Sequence, residues 1–502
     1  MLEPINISLE SLNLMTLAPM LIPIIGALLI LVVDLFQASL HKSLYVVLAL
    51  LFLGVDFIAL VDSSEIFTQN GIAMGAFDLM LIDGLAILSQ FIVVLASMLF
   101  IPLALSHKRF HEFSYPEFFA LFLFMIAGFQ FMVASDNLIL IFVGLETSSL
   151  ALYTMIAMHN RDKSFEAAVK YFTMGALAAG FYSFGAMIFY ALTGSVEIHN
   201  IAAVLGANGY GDIGYVLVAV VFMLASFGFK LSLVPFHTWA PDVYEGSSAA
   251  MAGYMSIVPK IAAFVVTMRL FEFLVHSHIV WLEVVLYTFV VITMTAANLW
   301  ALVQTDVKRM LAYSSISHAG FVMAAVLIGT TQANSALFIY WVLFSFTNLG
   351  AFSMLWISRQ KHLPEHQGSD YSFNKFAGMI KTAPVAAMIM ALFMLSLAGI
   401  PPFALFWGKL YMISSAVTSG YTILALIMAL NSAIAGYYYL KLIVYMFMKE
   451  PVLSHGGTVY VANATTPLKS IIGIAVMGTI FAFVAINPLL EFITALVYNS
   501  GY

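Results

Sequence analysis

The sequence contains no cysteine. That excludes disulfides, iron–sulfur ligation through thiolates and covalently attached c-type haem. Charge is also scarce: Asp, Glu, Lys and Arg make up 9% of the 502 residues, against roughly 25% in soluble domains. No long polar segment occurs, so a separate soluble domain is excluded. The largest loops are 358–382 and 449–469. The chain is instead 63% hydrophobic, with a mean hydropathy of +1.01. Most of its mass belongs in a lipid bilayer. The net charge of -6 says little about partners in such a chain, and no nucleic acid is expected. The N-terminal stretch MLEPINISLESLNL has no basic region and no small-residue cleavage site, so the first apolar run is expected to be a retained span.

A membrane-crossing helix needs about 20 mostly apolar residues. Fourteen runs qualify: 16–36, 43–61, 82–105, 117–135, 137–158, 166–193, 214–238, 248–273, 279–303, 307–330, 335–357, 384–416, 421–447 and 470–495. With loops numbered by the span they follow, Lys42, Lys108, Arg109, Arg161, Lys163, Lys308, Arg309, Arg359, Lys361, Lys375, Lys381, Lys449 and Lys469 all fall in odd loops. The even loops and both termini carry none. Odd loops are therefore expected in the cytoplasm and both termini outside.

Six basic residues remain inside spans. Lys170, Arg269 and Lys441 lie near helix ends, where snorkelling is expected. Lys230, Lys260 and Lys409 lie deeper. A lysine at membrane depth costs ~2.5–3.5 kcal/mol on insertion scales, so the three are expected to face the bundle interior. Glu146, in LIFVGLETSSLAL, is about as deep. A lone carboxylate there calls for a proton or a basic partner, and Lys230 is the best candidate. Glu166 and Lys170 have i,i+4 spacing and can either simply pair with each other or modulate the deeper site. Asp34, Asp56 and Asp83, near helix ends, are expected to be solvated.

Of the twelve histidines, only His237 and His318 fall inside spans. His318 follows the polar run YSSISH, where an imidazole can relay protons because it titrates near neutrality. Neither has a second histidine nearby for a b-type haem. His107 and His111 have i,i+4 metal spacing but no further ligands near them, so no metal is expected.

Two spans combine a deep lysine with a helix breaker. The seventh holds Lys230 five residues before Pro235, and the twelfth holds Gly399, Pro401 and Pro402 before Lys409. Proline removes a backbone hydrogen bond that lipid cannot replace, so such breaks belong where protein or water satisfies them. The two breaks are five spans apart. Residues 117–273 and 279–447 then form two five-helix repeats of opposite orientation, a plan familiar in ion transporters. Residues 1–116 hold three N-terminal helices, and 448–502 a loop and the last span. The fold expected is an all-α polytopic membrane protein of about 14 transmembrane helices, with two inverted five-helix repeats and discontinuous helices 7 and 12.

KLSLVPFHTWAPDVYEG, GLETSSLALY, DVKRMLAYSSISHAG and LSLAGIPPFALFWGKLY together resemble the antiporter-like membrane subunits of respiratory complex I, from about the fourth span to the thirteenth. Tyr244, Lys409 and the end of the chain after the fourteenth span favour the N type over the L and M types. The resemblance implies a helix 5–helix 7 pair of Glu146 and Lys230, a bridging Lys260, a relay His318 and a terminal Lys409. It implies proton translocation from the cytoplasm through these residues in that order. Glu146 close to Lys230 would favour the charged amine, and its withdrawal would let the proton move on. The resemblance also implies a bacterial inner-membrane location and partners among the antiporter-like and small membrane subunits and the peripheral redox arm. Quinone, FMN and iron–sulfur clusters would then sit in those partners, with no cofactor in this chain. The rival reading is a subunit of a Mrp-type cation/proton antiporter, which the Tyr244 and Lys409 pattern argues against. A non-conducting membrane scaffold is disfavoured by three deep lysines and a mid-bilayer glutamate.

Overall fold

The computed structural model describes residues 13–36, 41–75, 79–106, 111–207, 213–277, 279–357, 371–451, 453–454, 457–458 and 465–501. His107, Lys108, Arg109, Arg359 and Lys361 lie outside them. The described residues are mostly helical, and thirteen helices are long and apolar enough to cross a membrane. The remaining expected span, the twelfth, is two shorter helices, Pro384–Ala398 and Leu405–Thr418. The described residues also form two short antiparallel hairpins, one pairing Ala73–Gly75 with Met80–Ile82 and one pairing Leu453–Ser454 with Gly457–Thr458.

Five expected spans are divided, the tenth only at Met323, between Val307–Val322 and Ala324–Ile328. The seventh is helical over Ile213–Leu231, and a second helix runs from Trp239 to Gly246. The helix ends earlier than Pro235 itself. Ser232 turns into the left-handed region at φ 60°, because proline offers no N–H to the preceding turn and disfavours helix at the residue before it. In the twelfth, Gly399 takes φ 83° and closes the first piece, its N–H bonding Ser396 O at 2.8 Å and that of Ile400 bonding Leu395 O at 3.1 Å. The eighth, expected to be continuous, divides into Ala249–Met255 and Val258–His276, with Pro259 in the first turn of the second piece. The fourteenth divides at Ala485 into Thr466–Val484 and Ile486–Asn499, with Pro488 again in a first turn, where a missing N–H is harmless.

The eighth, tenth (Val307–Val322) and eleventh (Thr331–Ile357) spans are enclosed by protein, whereas the first (Ala18–Phe36), second (Lys42–Asn70), sixth (Asp162–Thr193) and ninth (Val280–Leu302) keep broad apolar faces exposed. A helix apolar on all sides belongs in the centre, and one with an apolar outer face meets lipid. The fourth (Pro116–Val133) and fifth (Leu138–Ala157) spans meet through glycines. A Cβ on Gly144 would stand 2.6 Å from Gly128 O, so only glycine permits this approach.

Contacts among loops sort them into two sides. Lys42 donates to Ala104 O at 2.8 Å, Glu112 pairs with His159 at 2.6 Å, Lys163 pairs with Glu245 at 3.1 Å, Arg309 pairs with Glu245 at 2.7 Å and Lys381 pairs with Glu450 at 2.6 Å. These link odd loops only. On the opposite side Leu81 N donates to Ala134 O at 2.7 Å, Leu138 N donates to Val196 O at 2.8 Å and Gly84 N donates to Ser500 Oγ at 2.6 Å. Even loops thus gather with the C-terminal segment.

Three expectations about single charges need correction. Asp83 is fully buried and makes a bidentate ion pair with Arg269, at 2.7 and 2.6 Å, while capping the third span (Gly84–Phe100) through Ala86 N. Arg269 therefore does not snorkel, because its counter-charge lies inside. Asp56 is also fully buried and accepts from Gln130 at 2.7 Å. It lies mid-helix, since the second span runs on to Asn70, beyond the apolar run. Asp34, by contrast, stays part-exposed near its helix end as expected, and accepts from the Tyr45 hydroxyl at 2.7 Å.

Candidate functional site

The three deep lysines all stand beside helix breaks. Lys230 is the penultimate residue of its helix, Lys260 the third residue of Val258–His276 and Lys409 the fifth of Leu405–Thr418. All three are buried. None pairs with a carboxylate among the described residues; their partners are hydroxyls and carbonyls.

Lys230 donates to Ser149 Oγ at 2.7 Å, with the Phe129 and Tyr171 rings each 5.9 Å from its nitrogen. Ser149 is one turn beyond Glu146 on the fifth span. Glu146 is half-buried, its Oε1 is shielded and unbonded, and no ion pair closes between it and Lys230. The two are thus neighbours through Ser149, and not in contact. Near them, the Tyr171 ring stacks on Trp239 at 4.3 Å, and the Trp239 indole donates to Phe229 O at 2.9 Å, a carbonyl that Ser232 N also meets at 3.0 Å where the helix ends. The hydroxyls of Tyr171, Ser232 and Tyr244 are buried without a protein partner.

Lys260 donates to both the carbonyl and the hydroxyl of Ser315, each at 2.9 Å. The adjacent Ser314 bonds the Tyr439 hydroxyl. That hydroxyl is 2.9 Å from His318 Nε2, and the Tyr340 hydroxyl is 2.5 Å from His318 Nδ1. A neutral imidazole has one donor and one acceptor nitrogen, and a tyrosine hydroxyl can be either, so this string can pass a proton by switching tautomers. Tyr340 packs directly on Gly408, where a Cβ would stand 3.0 Å from its Cα. The next residue, Lys409, donates to Leu397 O at 3.0 Å and Ala398 O at 2.9 Å. These are among the last carbonyls of the preceding helical piece, which lack intrahelical partners and carry the negative end of its dipole. Gly399 is needed here for space as well as for its φ, since a Cβ would meet Lys409 Cδ at 2.7 Å.

At the odd-loop side, a cavity of about 180 Å³ is lined by Lys163, Glu166, Lys170, Asp242 and Glu245. Lys170 bonds Glu166 at 2.7 Å and Asp242 at 3.0 Å, and Arg309 reaches Asp242 at 3.0 Å. Burial pushes both Asp242 and Glu245 up, but their basic neighbours outweigh it and hold both carboxyls below the usual range. His237 is buried against Trp300 with ring centres 4.6 Å apart and joins none of these strings. Lys441 donates to Gln304 O at 3.2 Å on the odd-loop side. Among the described residues no group of three or more His, Cys, Asp or Glu could hold a metal.

The sequence did not single out Ser149, Tyr340 or Tyr439. Ser149 was in view within the Glu146 segment. The tyrosines carried no signal, because an aromatic residue in an apolar helix reads as core. The break beside Lys260 was detectable from Pro259.

A polytopic helical bundle threaded by unpaired buried lysines is the architecture of ion-translocating membrane subunits. Residues 135–436 match the family described as NADH:quinone oxidoreductase/Mrp antiporter, and the chain belongs to that family. It is 80% identical, over the full length of both chains, to NADH-quinone oxidoreductase subunit N of Sulfurimonas denitrificans. It is similar to a chain of respiratory complex I from Thermus thermophilus, at 26% identity with a TM-score of 0.76, covering 94% of this chain and 98% of that one. A chain of the Mrp complex from Dietzia gives a TM-score of 0.82 at 20% identity, covering 97% of each. The fold is thus common to both branches, and the sequence separates them.

Proposed function

We propose that this chain is the subunit-N-type, proton-translocating membrane subunit of an NADH-quinone oxidoreductase, coupling quinone reduction elsewhere in the complex to proton movement. The observation that carries this reading is the set of three buried lysines held only by hydroxyl and carbonyl oxygens. A carboxylate partner would pin the charge on the amine. Hydroxyls accept from an ammonium and donate to a neutral amine, as at Lys230 and Lys260, and the carbonyls at Lys409 accept an N–H from either form, so each lysine can exist in both states.

In this reading a proton reaches Lys230 from the cavity between Lys163 and Glu245. It passes by way of the buried hydroxyls of Tyr171, Ser232 and Tyr244, with water, to Lys260. The string Ser315, Ser314, Tyr439, His318 and Tyr340 carries it to Lys409, from which it leaves on the opposite side. Glu146, one turn from Ser149, sets the field at Lys230. Residues 117–273 and 279–447 act as two inverted five-helix units after residues 1–116, with 448–502 closing the bundle. In support, the sixth span packs on both pieces of the seventh, and the eleventh on both pieces of the twelfth. The odd loops face the cytoplasm and both termini the outside of the inner membrane. FMN, iron–sulfur clusters and quinone belong to partner subunits, and the neighbours are other membrane subunits and the redox arm.

The test is purification of the intact assembly, identification of its subunits by mass spectrometry, and reconstitution into liposomes. Donor-to-quinone turnover with acidification of one side is expected. Co-purification with cation-antiporter subunits, and sodium–proton exchange without quinone, would replace this reading by the Mrp type.

A further inference from the structure

The second span buries a single stripe: Ala49, Leu53, Asp56, Leu60 and Phe67, each no more than 1% exposed. The spacing is that of an apolar helix face, and Asp56 occupies a position in it where packing calls for an apolar side chain. Its Oδ2 accepts from Gln130 Nε2 at 2.7 Å, while Asp56 Oδ1 and Gln130 Oε1 are buried without partners. If Asp56 were ionised, both of those oxygens would be acceptors and neither could satisfy the other. No cation among the described residues pairs with Asp56. The charged groups on the helices packed against this span are acids: Asp34, bonded by Tyr45, Asp83, paired with Arg269, and Glu117 in the first turn of the fourth span. On the second span itself Lys42 donates to Ala104 O at the far end, and Asp62 and Glu65 add more negative charge. An isolated carboxylate in such a place is far costlier than a carboxylic acid.

We propose that Asp56 is a proton-binding carboxyl, outside the lysine series, which holds its proton at neutral pH and donates it in a hydrogen bond to Gln130. The protonated acid and the amide then satisfy each other reciprocally. The pair joins the N-terminal helices to the fourth span at the residue next to Phe129, whose ring faces Lys230. Asp56 is a positioning residue: it fixes the level of the fourth span beneath the first lysine.

The experiment is infrared spectroscopy of the intact complex in membranes at neutral pH, with a heavy-carbon label in the aspartate carboxyl. The parent is expected to show a carboxylic-acid carbonyl band that moves with the label and is absent from Asp56→Asn. Identical spectra in that region would overturn the proposal. In Gln130→Leu the band should persist but move to higher frequency, since its hydrogen bond is gone, and an unmoved band would overturn the reciprocal pair. Asp56→Asn supplies the same donor and acceptor, so it should assemble and pump at the parental rate. An assembled Asp56→Asn complex that cannot pump would overturn the holding role, because a proton needed in turnover is not one that stays in place.

Discussion

Lys230 gives its hydrogen bond to Ser149, not to Glu146. The carboxylate that shares its neighbourhood is one helical turn away, on the same helix as the serine. The Lys230 amine is thus oriented by a neutral group, and in the proposed mechanism Glu146 acts on it through its field. That division makes the roles of the two residues separable by mutation.

Replacing Glu146 by Ala should lower proton pumping and quinone-coupled turnover without loss of assembly, whereas Asp should retain part of the activity. A ~1.4 kcal/mol loss of field at the amine is a tenfold change in its proton occupancy, so a fall on the order of tenfold is expected. Ser149→Ala should have a smaller effect, because water can replace a hydroxyl acceptor. Dye-reported acidification in vesicles, with native gels for assembly, measures both. Normal pumping by assembled Glu146→Ala would remove this carboxylate from the mechanism.

Lys409 separates a conduit from a local charge. Its carbonyl partners at the end of Pro384–Ala398 would accept from a guanidinium as readily as from an ammonium. A purely structural cation would therefore tolerate Arg. A relay would not, because guanidinium does not release its proton. Both Lys409→Arg and Lys409→Met are expected to stop pumping in an assembled complex. Parental pumping by the Arg variant would show that Lys409 releases no proton.

The buried Asp83–Arg269 pair should be a large stabilising contact to break. Removing one partner leaves an uncompensated buried charge, at a cost of about 3–5 kcal/mol. Arg269→Ala and Asp83→Ala should each reduce assembly sharply, as measured by the melting of the purified complex. A double replacement by apolar residues should recover part of the loss. Equal losses in single and double variants would show that the pair is not the source.

Acid should loosen the cluster of Asp242 and Glu245 with Lys163, Lys170 and Arg309 only late. Both carboxyls are held below their ordinary range, so their contribution to stability is fully present above that range. It is lost only as pH falls below the ordinary carboxylate range, roughly pH 4, and on through the depressed values. The difference in melting temperature between the parent and Asp242→Asn/Glu245→Gln should stay constant from neutral pH to about pH 5 and shrink below. A difference that vanishes already between pH 7 and 6 would contradict the depressed carboxyls.

Single cysteines can test sidedness in this cysteine-free chain. Ser369 and Asn208 suit the purpose by sequence but lie outside the described residues. Asp162, in loop 5, and Ala207, after span 6, are exposed. Asp162→Cys should react with an impermeant maleimide only from the cytoplasm, and Ala207→Cys only from outside. The reverse pattern would invert the orientation.

The sequence by itself determined the number of crossings, the alternation of loops and the burial of the three deep lysines, but not that of Asp56, Asp83 or Arg269. Each follows from the cost of putting polar groups in hydrocarbon, which is written residue by residue. It also marked two of the helix breaks, since proline and glycine act locally. It could not decide which partners those charges meet. Asp83 and Arg269 are 186 positions apart, and Asp83 reads as a solvated helix end until the eighth span is packed against the third. Tyr439 joins His318 across 121 positions, and nothing in YYYLKL sets that hydroxyl apart from a core aromatic. Burial, and with it whether a charge is paired or relayed through hydroxyls, depends on which helix faces meet. Packing of the whole bundle decides that, because lipid-facing and protein-facing apolar surfaces are alike in composition.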